Sequence, residues 1–429
     1  MSSSPLNGWR GLHTAKSASS QIGKTKMSNK AKAAVLTLSV AIIGFVVLGG
    51  LGVRASTDDA AAYKQLGVYS EVLSRIRSEY VEDPNVAMVT DGALHGLLES
   101  LDANSSYLSP EEYKKYRDRK SDGKANIGAS LSKRFGYAAV VSVVPGGPGD
   151  KAGIESGDII EAVEGRSTRD MSLAEIQNLM SGQPGSQISL SVVRARRSEP
   201  QKVAIVREVV SIPPVAQRMV EAGIGYIKVD SFTKGKAQEV AERIKDLQRQ
   251  GAKKLVLDLR NCGGGEETEG IAAANLFLNR GMITYLQGQK YARETFNAEP
   301  QKAITNLPVV VLVDRGTAGP AEIVAASLLE NARGDVLGDK TFGIGSIQKV
   351  IEIPDGSALI LSIAKYYTPR GKAIQDNAVT PNILVATDDD NVLPDDEDDS
   401  DRPAAEKKQS SKEDEQLKRA IVVLKSRAS

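Results

Sequence analysis

VVVLVDRGTAGPAEIVAASLL (Val309–Leu329) and GDKTFGIGSIQKV (Gly338–Val350) decide the reading of this chain. In the first, Gly319-Pro320-Ala321-Glu322 opens a helix, because proline is tolerated at the first helical position, where its missing N–H is one of the unpaired donors anyway. The positive end of that helix is suited to attract a carboxylate. Upstream, Tyr226 to Val229 reads as a strand and Ala237 to Gln248 as a helix with Val240, Ile244 and Leu247 on one face. Leu255 to Leu259 then reads as a buried strand. Alternating strand and helix implies an α/β layer arrangement with crossover connections.

The two stretches resemble the C-terminal processing (tail-specific) serine peptidases, which carry Ser-Ala-Ser-Ala-Ser-Glu in the first and Thr-Phe-Gly-Lys-Gly in the second. In that family the middle serine attacks the peptide carbonyl and the lysine takes its proton. Here those positions are Gly319 and Ile344. The resemblance continues in Gln348, which matches the residue that orients the catalytic lysine. It extends through Ala364 to Gln375, Val379-Thr380-Pro381, and Gly92 to Asp102 running on to Tyr107. In the family, Asp-Leu-Arg, one variable residue and Asn-Pro-Gly-Gly stand where this chain has Arg260-Asn261-Cys262-Gly263-Gly264-Gly265, so Cys262 and Gly263 replace the asparagine and proline.

A serine hydroxyl is a weak nucleophile until a base removes its proton, and glycine has none to offer. The base is a lysine kept neutral by burial, a task isoleucine cannot do. The residue after the nucleophile commonly gives its N–H to the oxyanion hole, and Pro320 has no N–H. Losing nucleophile or base costs on the order of 10⁴ to 10⁶ in rate, so the expected catalytic residues are none. The retained Gln348 is expected to make a structural hydrogen bond. The alternative is a displaced nucleophile, Thr317 or Ser346, with Lys340 as base. Cys262 reads as a small buried thiol, since no neighbouring base is evident. Only His13 and His95 are present, and His95 reads as a packed or solvated helical residue.

Outward from the core (213–386), residues 122–212 look like a PDZ domain. Asn126-Ile127-Gly128-Ala129 begins a strand, Val140 to Val144 supplies another, and Gly153 to Ile160 is a turn feeding a third. Leu173, Ile176, Leu179 and Met180 mark a helix ending at Ser181-Gly182. Such a groove adds an extended peptide as a strand, and backbone amides near Ile127 to Ala129 would hold the terminal carboxylate. The alternative is a groove that only packs against the next domain. Residues 56–121 form a helical region, with Leu66, Tyr69, Val72, Leu73 and Ile76, then Leu94, Leu97, Leu98 and Leu101, at helical spacing. The family role of that region is structural support and contact between subunits.

Residues 1–32 are basic without an acidic residue, and 33–53 are an uncharged apolar run long enough to span a bilayer. The expectation is a single N-terminal anchor in the inner or plasma membrane with the bulk extracytoplasmic; the alternative is a cleaved signal segment. One cysteine rules out a disulfide within the chain. With 55 basic and 54 acidic residues, net charge +1, nothing implies nucleic-acid binding. Residues 387–413 read as an acidic solvated linker without a twelve-residue calcium loop, and 414–429 as a helix that docks on the core or pairs with another subunit. Neither cofactor nor metal is expected.

The fold class is thus multidomain, α/β and α+β: helical N-terminal region, PDZ domain and α/β peptidase-like core. The functional expectation is an exported pseudo-peptidase binding protein C-terminal tails or partner proteins. The alternatives are an active serine endopeptidase and a regulatory subunit of an active homologue, with homo- or hetero-oligomers left open.

Overall fold

A computed structural model describes residues 57–120, 125–194, 197–385 and 414–426. Residues 33–53, expected to span a membrane, lie outside that set. So does the 387–413 linker. Among the described residues no helix is long and apolar enough to cross a membrane. The chain divides into a unit ending at Val86 and a unit from Ala87 onward. The first contains helix α1 (Thr57–Glu79), where Arg75 pairs with Glu71 and Glu79 one turn away on either side.

Helix α2 (Val86–Glu99) starts on the last residue of the first unit and otherwise belongs to the second, which continues with strand β1 (Ser106–Leu108) and α3 (Pro110–Lys120). His95 on α2 lies 3.5 Å from Glu112 on α3 and packs edge-on against Tyr107. Strand β1 departs from the helical expectation. It joins a sheet with β11 (Met282–Gln287), β12 (Glu294–Asn297), β15 (Ser346–Glu352) and β16 (Ala358–Tyr367), pairing Ser106 with Ile360. Three residues carry no periodicity, and a partner some 250 residues away leaves no local trace.

The PDZ part contains β2 (Ala129–Arg134), β3 (Tyr137–Val143), the short α4 (Pro148–Lys151), β4 (Ile159–Val163), β5 (Arg166–Ser167), α5 (Leu173–Met180), β6 (Gln187–Arg194) and β7 (Arg197–Val206). Ser172 caps α5 by accepting from the Glu175 amide at 3.1 Å. Strand β2 begins at Ala129 rather than Asn126, because Ala125 and Asn126 bridge instead to Gly182 and Glu208. It is the edge of its sheet, with β3 on one side and the other side open.

The core sheet runs β17-β14-β13-β10-β9-β8, from β8 (Ala216–Glu221), β9 (Ile224–Lys228), β10 (Lys254–Asp258), β13 (Val309–Val313), β14 (Gly334–Gly338) and β17 (Ile383–Leu384). All neighbours are parallel except β8 with β9. Crossover helices α6 (Lys236–Arg249), α7 (Glu267–Asn275) and α8 (Pro320–Glu330) supply the second layer. Side chains alternate along a strand, so Val309, Val311 and Val313 enter the main helical core while Val310 and Leu312 face away. A parallel sheet needs cover on both faces. The second cover is α9 (Glu415–Ser426), whose Ala420 and Leu424 are fully buried against Val310, Leu312 and Leu337. Of the two roles open to the C-terminal segment, it adopts docking on the core. Gln416 donates to the Val385 carbonyl, and Arg260 spans Asp258 and Asp414.

Candidate functional site

The apolar strand β13 ends at Val313, and six residues later the chain turns into α8 at Gly319. Gly319 has φ +61° and ψ −120°. That backbone belongs to a sharp strand-to-helix elbow and strains any residue with a Cβ; glycine adopts it freely. A Cβ built there meets nothing within 4 Å, so room for a side chain persists. Pro320 follows as the first helical residue.

Glu322, one turn into α8, is fully buried and holds the site together. Its Oε2 accepts from the Gly319 amide at 3.0 Å and from the Ile344 amide at 2.8 Å. Its Oε1 accepts from the Gly343 amide at 2.9 Å and from the Thr341 hydroxyl. Two amides bonded to one oxygen lie within two hydrogen-bond lengths of each other, so the positions expected for nucleophile and base remain neighbours. Burial pushes the Glu322 carboxyl up to about 7, against the lowering effect of these four donors.

Thr317 is fully buried, and its hydroxyl donates to the Leu259 carbonyl at 2.8 Å. Lys340 is exposed. Cys262 is buried, and burial pushes its thiol above the ordinary range. Among the described residues Gln348 makes no hydrogen bond to residue 344. Its Nε2 donates to the Ser346 hydroxyl at 2.9 Å and the Ser346 carbonyl at 3.1 Å.

A cavity of about 560 Å³ joins the PDZ groove to this region. It is bordered by Asn126, Ile127, Gly128 and Ala129 of the groove and by Ile344, Ser346 and Gln348 of the core. Gly319 is not on its border. Among the described residues lining it there is no lysine, arginine or histidine, while Asp230 and Glu267 both are. Burial raises Glu267 above the usual carboxylate range. The Gly128 amide is already engaged, donating to Asn126 Oδ1 at 2.7 Å, so it does not add to the carboxylate-holding amides expected from the sequence. Gly263 and Gly264 also border the cavity, and among the described residues their amides donate to no acceptor.

Sequence reasoning missed Asn104, Asp230 and Glu267 on the border, and the bond from Asn261 to the PDZ part. Asn261 Nδ2 donates to the Val143 carbonyl at 2.8 Å, and its Oδ1 accepts from the Val143 amide at 3.1 Å. Arg134 stacks over the Phe342 ring at 4.1 Å, a second tie between the PDZ part and the core. No sequence signal marks either contact, since each joins residues more than a hundred positions apart.

Comparisons with known proteins agree with this architecture. Residues 223–385 match peptidase family S41, and residues 140–194 match the PDZ domain. The carboxy-terminal-processing protease of Bartonella bacilliformis is 33% identical over 335 residues, 77% of this chain and 77% of that protein. The carboxy-terminal processing protease CtpA of Bacillus subtilis is 33% identical over 77% of this chain and 70% of its own length. Among solved structures, a photosystem II D1 C-terminal processing protease superposes with TM-score 0.63 at 26% identity, covering 74% of this chain and 92% of that one.

Proposed function

Because this chain belongs to peptidase family S41, the carboxy-terminal processing proteases, and carries a PDZ domain, we propose that it is a catalytically silent member that grips protein C-termini without cutting them. One observation carries the reading: at the elbow, where the nucleophile and base belong, stand Gly319 and Ile344, bridged by Glu322. Pro320 removes an oxyanion donor at the same place. A displaced nucleophile lacks support, because Thr317 spends its hydroxyl on Leu259 and Ser346 has no basic residue beside it in the cavity. The open edge of β2, facing α5, supports addition of an extended tail. The basic 1–32 and apolar 33–53 segments support a membrane location for this activity, with the folded bulk on the extracytoplasmic side.

The test uses the full chain in detergent with an unstructured, tail-bearing protein. Mass spectrometry is expected to find the substrate intact, and anisotropy to find binding that is lost when the terminal carboxylate is amidated. Cleavage abolished by Ser346→Ala or Thr317→Val would instead establish an active peptidase. Association with a homologous subunit alone would make the chain a regulatory partner.

A further inference from the structure

Ser346 is the first residue of β15, only 8% exposed, and it borders the cavity shared with the PDZ groove. Two donors converge on its Oγ: Asn104 Nδ2 at 3.1 Å and Gln348 Nε2 at 2.9 Å. A serine hydroxyl has two acceptor lone pairs and one proton. Both lone pairs are therefore occupied, and the proton has no acceptor among the described residues. The two donors are themselves held in place. Asp102 Oδ1 accepts the Asn104 backbone amide at 2.8 Å and the Ser362 hydroxyl at 3.1 Å, and Gln348 also donates to the Ser346 carbonyl. By elimination, the proton is directed into the cavity.

A nearly buried donor calls for an acceptor, and the surroundings select its kind. Asp230 and Glu267 border the same cavity with no cation among its lining residues. Asp230 is paired at 3.3 Å with Lys228, which also donates to the Arg260 carbonyl and does not itself line the cavity. An anionic ligand group at Ser346 would add charge to a cavity that already holds Asp230 and Glu267 with no cation on its lining, whereas a neutral carbonyl oxygen adds none.

We propose that Ser346 is a ligand-binding residue whose hydroxyl donates to a main-chain carbonyl of a C-terminal tail anchored in the PDZ groove. This rests on the tail-binding reading above and adds to it a second point of contact, beyond the groove. Asn104 and Gln348 are positioning residues that keep the hydroxyl a donor.

The test measures affinity of the full chain for two peptides with free C-termini, a short one filling only the PDZ groove and a longer one that runs on into the cavity. Ser346→Ala is expected to weaken the longer peptide about tenfold and leave the short one unchanged, which also shows that the variant is folded. Replacing single carbonyls of the longer peptide by thiocarbonyls, poorer acceptors, should reproduce the loss at one position in the wild type and have no effect there in Ser346→Ala. Asn104→Asp, which offers the hydroxyl an internal acceptor, should mimic Ser346→Ala. Equal affinity of wild type and Ser346→Ala for the longer peptide, or thiocarbonyl losses that simply add to the mutation, overturns the inference alone. Failure of the wild type to bind either peptide overturns the tail-binding reading and the inference with it.

Discussion

The carboxamide of Asn261 forms both hydrogen bonds of a strand partner with Val143, donating to its carbonyl at 2.8 Å and accepting its amide at 3.1 Å. Val143 ends β3 and pairs in register with Ala129 of the groove strand, so one side chain ties the core loop to the groove. Asn261 itself has φ +53°. Asn261→Gly keeps that backbone accessible and removes the clamp. Hydrogen exchange at the Val143 amide should accelerate at least tenfold in Asn261→Gly. Unchanged protection would show that the clamp holds nothing.

Gly319→Ala adds a Cβ into open space at a backbone of φ +61°, ψ −120°. The cost is purely conformational, on the order of 1–3 kcal/mol. Urea unfolding should show a lower midpoint with an unchanged slope. Equal stability would mean that the elbow relaxes around any residue.

His95 gives a pH dependence with a defined sign. Its contact with Glu112 raises it to about 9 against the opposing effect of burial. A folded value above the unfolded value of about 6.5 means that folding takes up a proton. The contribution is fully present below that unfolded value and is lost as pH rises through about 9. On the acid side, burial pushes Glu112 up, but His95 and Ser109 outweigh it and hold Glu112 at about 2. Its contribution is present above the ordinary glutamate range and lost as pH falls through about 2. Partial exposure screens the pair, leaving roughly 1 kcal/mol. Melting temperatures of wild type and His95→Gln should converge by pH 10. A constant difference from pH 6 to 10 contradicts the assignment.

Cys262 lies wholly buried, with its thiol raised by burial. Iodoacetamide should leave the native chain unmodified and alkylate it after denaturation, as read by intact mass. Rapid native labelling would mean that the 260–265 loop opens easily.

Leu424 of α9 is fully buried on the face of the sheet opposite α6 to α8. Leu424→Ala should cost about 2–5 kcal/mol in chemical unfolding. A loss below about 0.5 kcal/mol would place α9 off the sheet in solution.

Much of the architecture was legible because its signals are local. Leu173, Ile176 and Met180 repeat at helical spacing, and the Leu255–Leu259 run is apolar enough for a strand covered on both faces. The strand that the sequence starts at Tyr226 begins at Ile224, and the helix it starts at Ala237 begins at Lys236. Ser106–Leu108 was not legible as a strand, since its identity comes entirely from pairing with Ala358 to Ile360. Gln348 was matched to the family, but its actual partners, Ser346 and Ser362, followed from the β15–β16 hairpin.

By itself, the sequence determined which atoms this site has: no hydroxyl at residue 319, no amine at 344 and no amide hydrogen at 320. Covalent composition needs no fold to be read. Only tertiary structure decided that Glu322 keeps those two positions together, that Asn126 to Ala129 border one cavity with Ile344 and Ser346, and that the Ser346 hydroxyl, which accepts two bonds, donates none among the described residues. Hydrogen bonds and cavities depend on distances between residues far apart in the chain, and those distances exist only once the sheets and helices have packed.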